Sequence, residues 1–208
     1  MEDNNESQWI NIADIMSALM MIFMFISVAF LYQLLEKKEI YKIELNKALH
    51  KEFDKDLKRW KAVITDDNII RFNSPFLSGD DTVPKEFRSI LKDFFPRYIE
   101  LLASKEFKEE IDEIRVEGHT SNNWGKENQK ESYIHNMNLS QKRASNVLTY
   151  CYNINNNIID KNLLWLQSNL RANGISFSKL LYKDKEKKIQ DSIRSRRVEF
   201  RVLTLEHI

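Results

Sequence analysis

Three stretches of different hydrophobic pattern follow one another along the chain. From Ile15 to Leu35 it reads IMSALMMIFMFISVAFLYQLL, 21 residues without Asp, Glu, Lys, Arg or His. At about 1.5 Å per residue this predicts a helical rod of roughly 30 Å, the thickness of a bilayer core. Trp9 and Tyr32 stand near its two ends, where interfacial aromatic side chains belong. Next, Leu45, Leu49, Phe53, Leu57, Trp60 and Ile64 recur at spacings of four, four, four, three and four. That is the apolar stripe of a charged helix over residues 36–65, a connector able to reach roughly 40 Å. Nine Lys/Arg and six Asp/Glu between Glu36 and Lys61 fill its other faces. The stripe needs a covering partner: a second, parallel copy of the helix is the expectation, and the C-terminal domain of the same chain is the alternative.

Beyond residue 66 the pattern becomes mixed. Asn68–Phe72, Ile114–Glu117, Leu170–Ile175 and Arg197–Leu203 read as strands. A turn at Ser78-Gly79-Asp80-Asp81 leads to a helix over Pro84–Ser104 that Pro96 should kink or interrupt. A polar loop from Gly118 to about Asn138 precedes a helix with Ser140 as N-cap and Ala144, Val147, Leu148 and Cys151 turned inward; a further helix covers about Lys161–Asn169. The fold class is therefore α/β: one N-terminal transmembrane helix (15–35) after a short tail (1–14), a helical connector (36–65) and an α/β sandwich (66–208).

Composition removes several functions. With 32 Lys+Arg against 31 Asp+Glu there is no basic field for nucleic acid, so no direct nucleic-acid partner is expected. A single cysteine, Cys151, excludes an intrachain disulfide and reads as buried filler; no Cys/His cluster is spaced for zinc. Four glycines leave no Walker loop and no GxGxxG. No nucleophile and base stand together, so neither an enzyme, a metal nor a cofactor is expected. A cleavable signal peptide would need a basic start where Glu2, Asp3 and Glu6 stand, which makes the apolar run an uncleaved anchor.

Asp14 interrupts this apolar region from a position roughly 7.5 Å along the helix from Trp9. Either it caps the first helical turn at the headgroup level, or it is a functional carboxyl inside the membrane boundary, the usual reason for such a costly group. Ala13-Asp14-Ile15-Met16-Ser17-Ala18-Leu19-Met20-Met21, preceded by Trp9, resembles the W…AD-x-M-[ST]-A-x-M start of the transmembrane helix in MotB, the B subunit of flagellar stators, and more loosely ExbD and TolR. That resemblance implies that Asp14 is the proton-binding group, working against a multi-helix A-subunit ring. Chemistry agrees, because dry surroundings favour a neutral carboxyl and contact with water its anion. Orientation is in conflict. Residues 1–35 carry no Lys or Arg while Lys37, Lys38 and Lys42 follow the span, which by the positive-inside rule leaves the C-terminal part in the cytoplasm. The resemblance implies the reverse, and long domains cross with less regard to flanking charge.

Val116-Glu117-Gly118-His119-Thr120, then Asn136 to Val147 with Leu139-Ser140-Gln141-Lys142-Arg143-Ala144, then Arg196-Arg197-Val198-Glu199-Phe200 resemble the VxGHTD…NxxLSxxRAxxV…NRRVEF signature of OmpA-like peptidoglycan-binding domains. The likeness covers about residues 66–205. It implies a peptidoglycan site made of Thr120, Ser121, Asn122, Asn136, Leu139, Arg143 and Arg197, in which Arg143 grips a carboxylate of the wall stem peptide with its planar fork. Two departures bear on that site. Ser121 replaces the family's Asp, and the loop to Arg143 is about seven residues longer, with Asn122, Asn123 and Trp124 inserted early. The ammonium of the ligand then lacks its counter-ion, unless Asn122 or Asn123 supplies acceptors, Glu127 or Glu131 reaches back, or the wall ligand differs. His119 is expected to order the loop. Arg196 and Arg197 serve to close the sheet edge or to meet the ligand, Arg197 being the expected contact. Lys183–Lys188 reads as a solvated loop.

Together the two resemblances imply a stator: a part held to peptidoglycan while ion flow turns something against it. The acidic N-terminal tail, the FISVAFLY exit from the membrane and GHTS for GHTD resemble the stator B subunits of Zorya anti-phage defence systems more than flagellar ones. By that resemblance the partners are a MotA-like ZorA pentamer, a second copy of this chain, peptidoglycan, the membrane and, indirectly, cytosolic effectors. H+ is the expected ion and Na+ the alternative. The location implied is the bacterial inner membrane, N-terminus cytoplasmic and C-terminal domain periplasmic. A flagellar-type stator subunit and a passive tether from inner membrane to wall are the alternatives.

Overall fold

A computed structural model describes residues 3–73, 76–122, 128–184, 186 and 188–205. A single helix, α1, runs Asp3–Trp60. Its residues up to Ile43 form one unit, and from Glu44 onward it belongs to a second, compact unit with the rest of the chain.

The second unit is built on a sheet of strands β1 (Ala62–Ile64), β2 (Ile69–Asn73), β3 (Ile111–Gly118), β4 (Leu170–Gly174) and β5 (Arg197–Thr204), in the order β1-β2-β5-β3-β4. Only the β3–β4 pairing is parallel. Helices α2 (Lys85–Leu102), α3 (Gln129–Tyr152), α4 (Asn157–Lys161), α5 (Leu163–Asn169) and α6 (Ser192–Ser195) complete it. Alternation along the central strands separates two kinds of side chain. Ile70, Phe72, Ile114, Val116, Val198, Phe200 and Val202 are buried apolar residues, while Arg71, Arg115, Glu117, Arg197, Glu199 and Arg201 occupy the alternate positions. The aromatic core joins Phe72 and Phe200 to Phe94 and Tyr98 of α2.

The stripe of the connector finds its partner within the chain. Leu45, Leu49 and Phe53 are fully buried and Trp60 nearly so. The Phe53 ring lies 5.3 Å from Phe94 and 6.5 Å from Tyr98, and Trp60 lies 6.3 Å from Phe72. The Leu45, Leu49, Phe53 and Trp60 part of the stripe is thus covered within the chain, the alternative left open by the sequence, and from Glu44 onward the helix packs as part of the compact unit. Polar clamps fix the docking: Arg97 of α2 bonds Glu52 and Asp56 at 2.7 and 2.9 Å, and Asn46 donates to Thr65 O and Asn68 Oδ1. Phe53→Ala should therefore cost about 3–5 kcal/mol through the cavity it leaves. Thermal melting of the full-length protein in detergent measures this; an unchanged melting point with weakened self-association would instead mark Phe53 as a dimer seam.

Three further expectations change. β1 escapes notice in the sequence because it has three residues and depends on two left-handed residues, Lys61 (φ 52°) and Asn68 (φ 57°), which end α1 and close the Thr65–Asn68 turn. α3 starts at Gln129, capped by Asn128, whose side chain accepts from Glu131 N at 3.0 Å; Ser140 is therefore a mid-helix residue and not an N-cap. α2 continues through Pro96, which sits buried within it. Cys151 is buried, as expected.

Candidate functional site

In the N-terminal unit Asp14 lies about three turns inside α1, so its backbone N–H belongs to the helical ladder and the carboxyl does not cap the helix. Side chains from Ile12 to Gln33 are all exposed. The hydroxyls in the span are satisfied locally, Ser17 donating to Ala13 O and Ser27 to Phe23 O at 2.8 Å each. What this helix offers its surroundings is an apolar surface of spanning length with one carboxyl near its start.

In the second unit the motif residues gather where β3 and β4 end beneath α3. Both strands end in glycine for a steric reason. A Cβ on Gly118 would lie 2.2 Å from the Ser140 carbonyl oxygen, and one on Gly174 would lie 2.6 Å from Gln141 N. Around this close approach the Ser140 side chain accepts from Ser176 N at 2.9 Å, and Gln141 holds the Gly174 N–H at 2.7 Å and donates to Ala172 O at 3.1 Å. Ser176, buried in a left-handed conformation (φ 52°), accepts from Thr120 N at 2.9 Å and donates its hydroxyl to Tyr133 O at 3.2 Å. Thr120 is thereby pinned against α3, and Ser121 next to it is buried. Asn122 O accepts from Ser132 at 3.5 Å, and Asn136 donates to Ser132 O at 2.9 Å.

Beside this loop lies a buried ionic core. Glu199 Oε1 accepts from Arg197 at 2.6 Å and from Arg71 at 2.7 Å, and Glu117 Oε1 accepts from Arg201 at 3.0 Å. His119 is anchored through its backbone, N–H to Arg197 O at 3.0 Å, and its Nε2 stands 3.4 Å from Glu199 and 3.6 Å from Glu117. Burial is the strongest single influence on both carboxyls and opposes their charge. His119 and the arginines together outweigh it, holding Glu199 far below and Glu117 below the ordinary carboxylate range. Glu117, His119 and Glu199 are close enough to share a metal ion. The carboxylates, however, already answer Arg71, Arg197 and Arg201, and a dication would add charge to an already cationic cluster.

Arg143 is 1% exposed, and its fork is engaged: Nε donates to Asp80 O at 2.8 Å and Nη2 to Leu77 O at 2.7 Å, with the guanidinium 4.9 Å over the Phe76 ring. Burial first and then the neighbouring Arg196 lower its pKa to about 10, against Asp80 and Asp81, so it remains a cation at neutral pH.

The fold brings Thr120, Ser121, Asn122 and Asn136 together through Ser132 and Ser176, and places Arg143 one turn beyond Ser140 on α3. Leu139 is buried on the same helix. Arg197 is 2% exposed and directed into the ionic core, bonding Glu199, Lys179 O and Ser195 O, whereas Arg196 is half-buried. Asn123, Trp124 and Glu127 lie outside the described residues, and Glu131 occupies the first turn of α3. Sequence reading assigned no role to Glu117, Glu199, Arg71 or Arg201, although the alternation Arg197-Val198-Glu199-Phe200-Arg201 carried the signal of one charged strand face. Ser176 gave no signal, because its conformation is imposed by its neighbours.

A spanning helix with one carboxyl near its start and an α/β domain carrying the GHT, LSxxRA and RRVEF blocks at one sheet end define a class: single-span membrane proteins with an OmpA-like domain. No protein-family model matches the chain. It nevertheless belongs to the ZorB family, being 39% identical to the Zorya protein ZorB of Escherichia coli strain ATCC 8739 over 98% of this chain and 90% of that protein. Among solved structures, the cell wall anchor of the T6SS from Pseudomonas aeruginosa is 20% identical, covering 76% of this chain and 97% of that one with a TM-score of 0.48. The OmpA-like domain of FopA1 from Francisella tularensis subsp. tularensis SCHU S4 is 17% identical, covering 70% and 82%, with a TM-score of 0.41. A periplasmic domain of MotB is 14% identical, covering 66% and 64%, with a TM-score of 0.41.

Proposed function

We propose that this chain is the B subunit of a proton-driven membrane motor in Zorya anti-phage defence. The observation that carries the reading is the 39% identity to ZorB across nearly the whole chain. In this reading two copies sit within a ring of five MotA-like ZorA subunits in the inner membrane. α1 crosses the membrane with its N-terminus in the cytoplasm, and the α/β domain binds peptidoglycan on the periplasmic side. Asp14 takes up and releases the proton. Each proton crossing the potential delivers about 2.3 kcal/mol per 100 mV, which biases the packing of ring helices against the wall-held subunit. Motion of the ring then reaches cytosolic effectors. The long exposed apolar surface of α1 supports a location among lipid and partner helices, since one helix supplies neither a proton path nor a polar lining. Co-purification tests the assembly: the chain expressed with its ZorA-type partner should elute as one detergent-stable complex, and separate elution would count against the motor.

The wall-binding half has its own test. Arg143→Ala removes the guanidinium that holds Leu77 and Asp80, so retention of the protein on purified sacculi should fall by about tenfold or more, the loss of one charge-assisted fork. Undiminished retention would take Arg143 out of the site.

A further inference from the structure

Beside the Thr120–Asn122 loop stand two aromatic rings that belong to none of the motif blocks. Tyr133, early in α3, and Phe177, just after β4, meet edge to face with their centroids 5.6 Å apart at 89°. Hydrogen bonds tie this pair to the loop from two sides. Thr120 N–H donates to Ser176 O at 2.9 Å, the Ser176 hydroxyl donates to Tyr133 O at 3.2 Å, and Phe177 is the next residue. The Ser132 hydroxyl, one residue before Tyr133, donates to Asn122 O at 3.5 Å. Ser176 is fully buried and Ser132 nearly so, which fixes the rings in place. Yet the surface they form is open: Tyr133 is 39% and Ile134 56% exposed, Asn122 is exposed and Phe177 half-buried. None of these four side chains is charged at neutral pH. The charged side chains of this sheet end, Glu117, Glu199, Arg197 and Arg143, are buried and already bonded to protein groups. A wall polymer offers two chemistries, charged stem peptides and a glycan chain whose sugar rings expose C–H faces edged by neutral hydroxyl and acetamido groups. Aromatic faces next to a neutral amide match the second.

We infer that Tyr133 and Phe177 form a platform for a sugar ring of the wall glycan, with Asn122 beside them as a neutral hydrogen-bonding partner. The inference rests on the wall-binding reading and names the part of the wall that this patch takes. Because the rings are held by buried serines before any ligand arrives, little ordering cost is left for binding.

Retention of the full-length protein, in detergent, on two wall preparations tests the platform: intact sacculi, and beads bearing glycan strands from which an amidase has removed the stem peptides. Wild type should be held by both. Tyr133→Ala and Phe177→Ala should each lower retention on the stripped strands about fivefold, the loss of one aromatic contact. Tyr133→Phe keeps the ring and should stay within about twofold of wild type. Both rings lie at the surface, so the alanine variants should melt within a few degrees of wild type, and a general weakening of the fold is read separately from the loss of binding. Equal retention of wild type and both alanine variants on stripped strands overturns the platform. So does a wild type that holds to intact sacculi but not to stripped strands, which leaves wall binding itself standing. Failure of wild type on both preparations would sink the wall-binding reading and the platform with it.

Discussion

If the proposed motor reading holds, Asn in place of Asp14 should reduce protection against phage to the level of cells lacking the gene, while the protein still inserts, folds and co-purifies with the proposed ring partner. The amide matches the carboxyl in size and polarity, and Asp14 is a mid-helix residue with no cap to lose, so α1 should form as before. What the amide cannot do is exist in a charged and a neutral form. A proton-coupled cycle therefore stops at its first step. Plating efficiency of a sensitive phage on cells carrying the whole system reads the outcome, and immunoblots of the membrane fraction confirm that the variant is present. Retention of full protection would leave only a passive tether, for which the side chain at position 14 is immaterial. Asp14→Glu keeps the charge but moves it outward by one methylene, and should give partial protection if position at the ring interface sets the rate.

A loss of stability as large as that of Phe53→Ala should come from Glu199→Ala. It removes the acceptor shared by Arg197 and Arg71 and leaves Arg197, 2% exposed, as a buried charge without its partner. Breaking a buried pair from one side costs about 3–5 kcal/mol, a large share of the roughly 5–15 kcal/mol that holds a domain together. The full-length protein in detergent should melt about 10 °C or more lower by circular dichroism. Glu199→Gln keeps an acceptor oxygen and should lose less. The pH dependence follows from the direction of the shifts. Glu199 and Glu117 are held below their unfolded values, so their contribution is present above about pH 4.3 and is lost as pH falls toward their folded values. Wild type should lose stability through that acid range, and Glu199→Gln should show a shallower slope there. Equal slopes would mean that Glu199 is not held as an anion by its neighbours.

The motif blocks and the ionic core divide the labour at the sheet end. Glycine at 118 and 174, with Ser140 and Gln141, sets how closely α3 approaches the strands, and Glu117 and Glu199 neutralise the arginines beneath. The loop residues from Thr120 to Asn122 are held from both sides, by Ser176 and by α3. A surface built this way keeps its geometry without an extensive apolar lining, because its backbone positions are fixed by hydrogen bonds to buried elements.

Local pattern alone determined the spanning helix, four of the five strands and the blocks that mark the sheet end, because a charge-free run, a period of two and a period near four are each properties of neighbouring residues. The position of Asp14 along an apolar run was equally plain. The partner of the Leu45–Trp60 stripe was decided only in three dimensions: a periodic apolar face states that it must be covered, and whether Phe94 and Tyr98 or a second helix covers it depends on residues about 40 positions away. The ionic core and the seat of Arg143 against the Leu77 and Asp80 backbone oxygens and the Phe76 ring were likewise fixed by tertiary structure. Glu117 and Glu199 face each other only because β3 pairs with β5, and a separation of more than 80 residues leaves no trace of that meeting in the sequence.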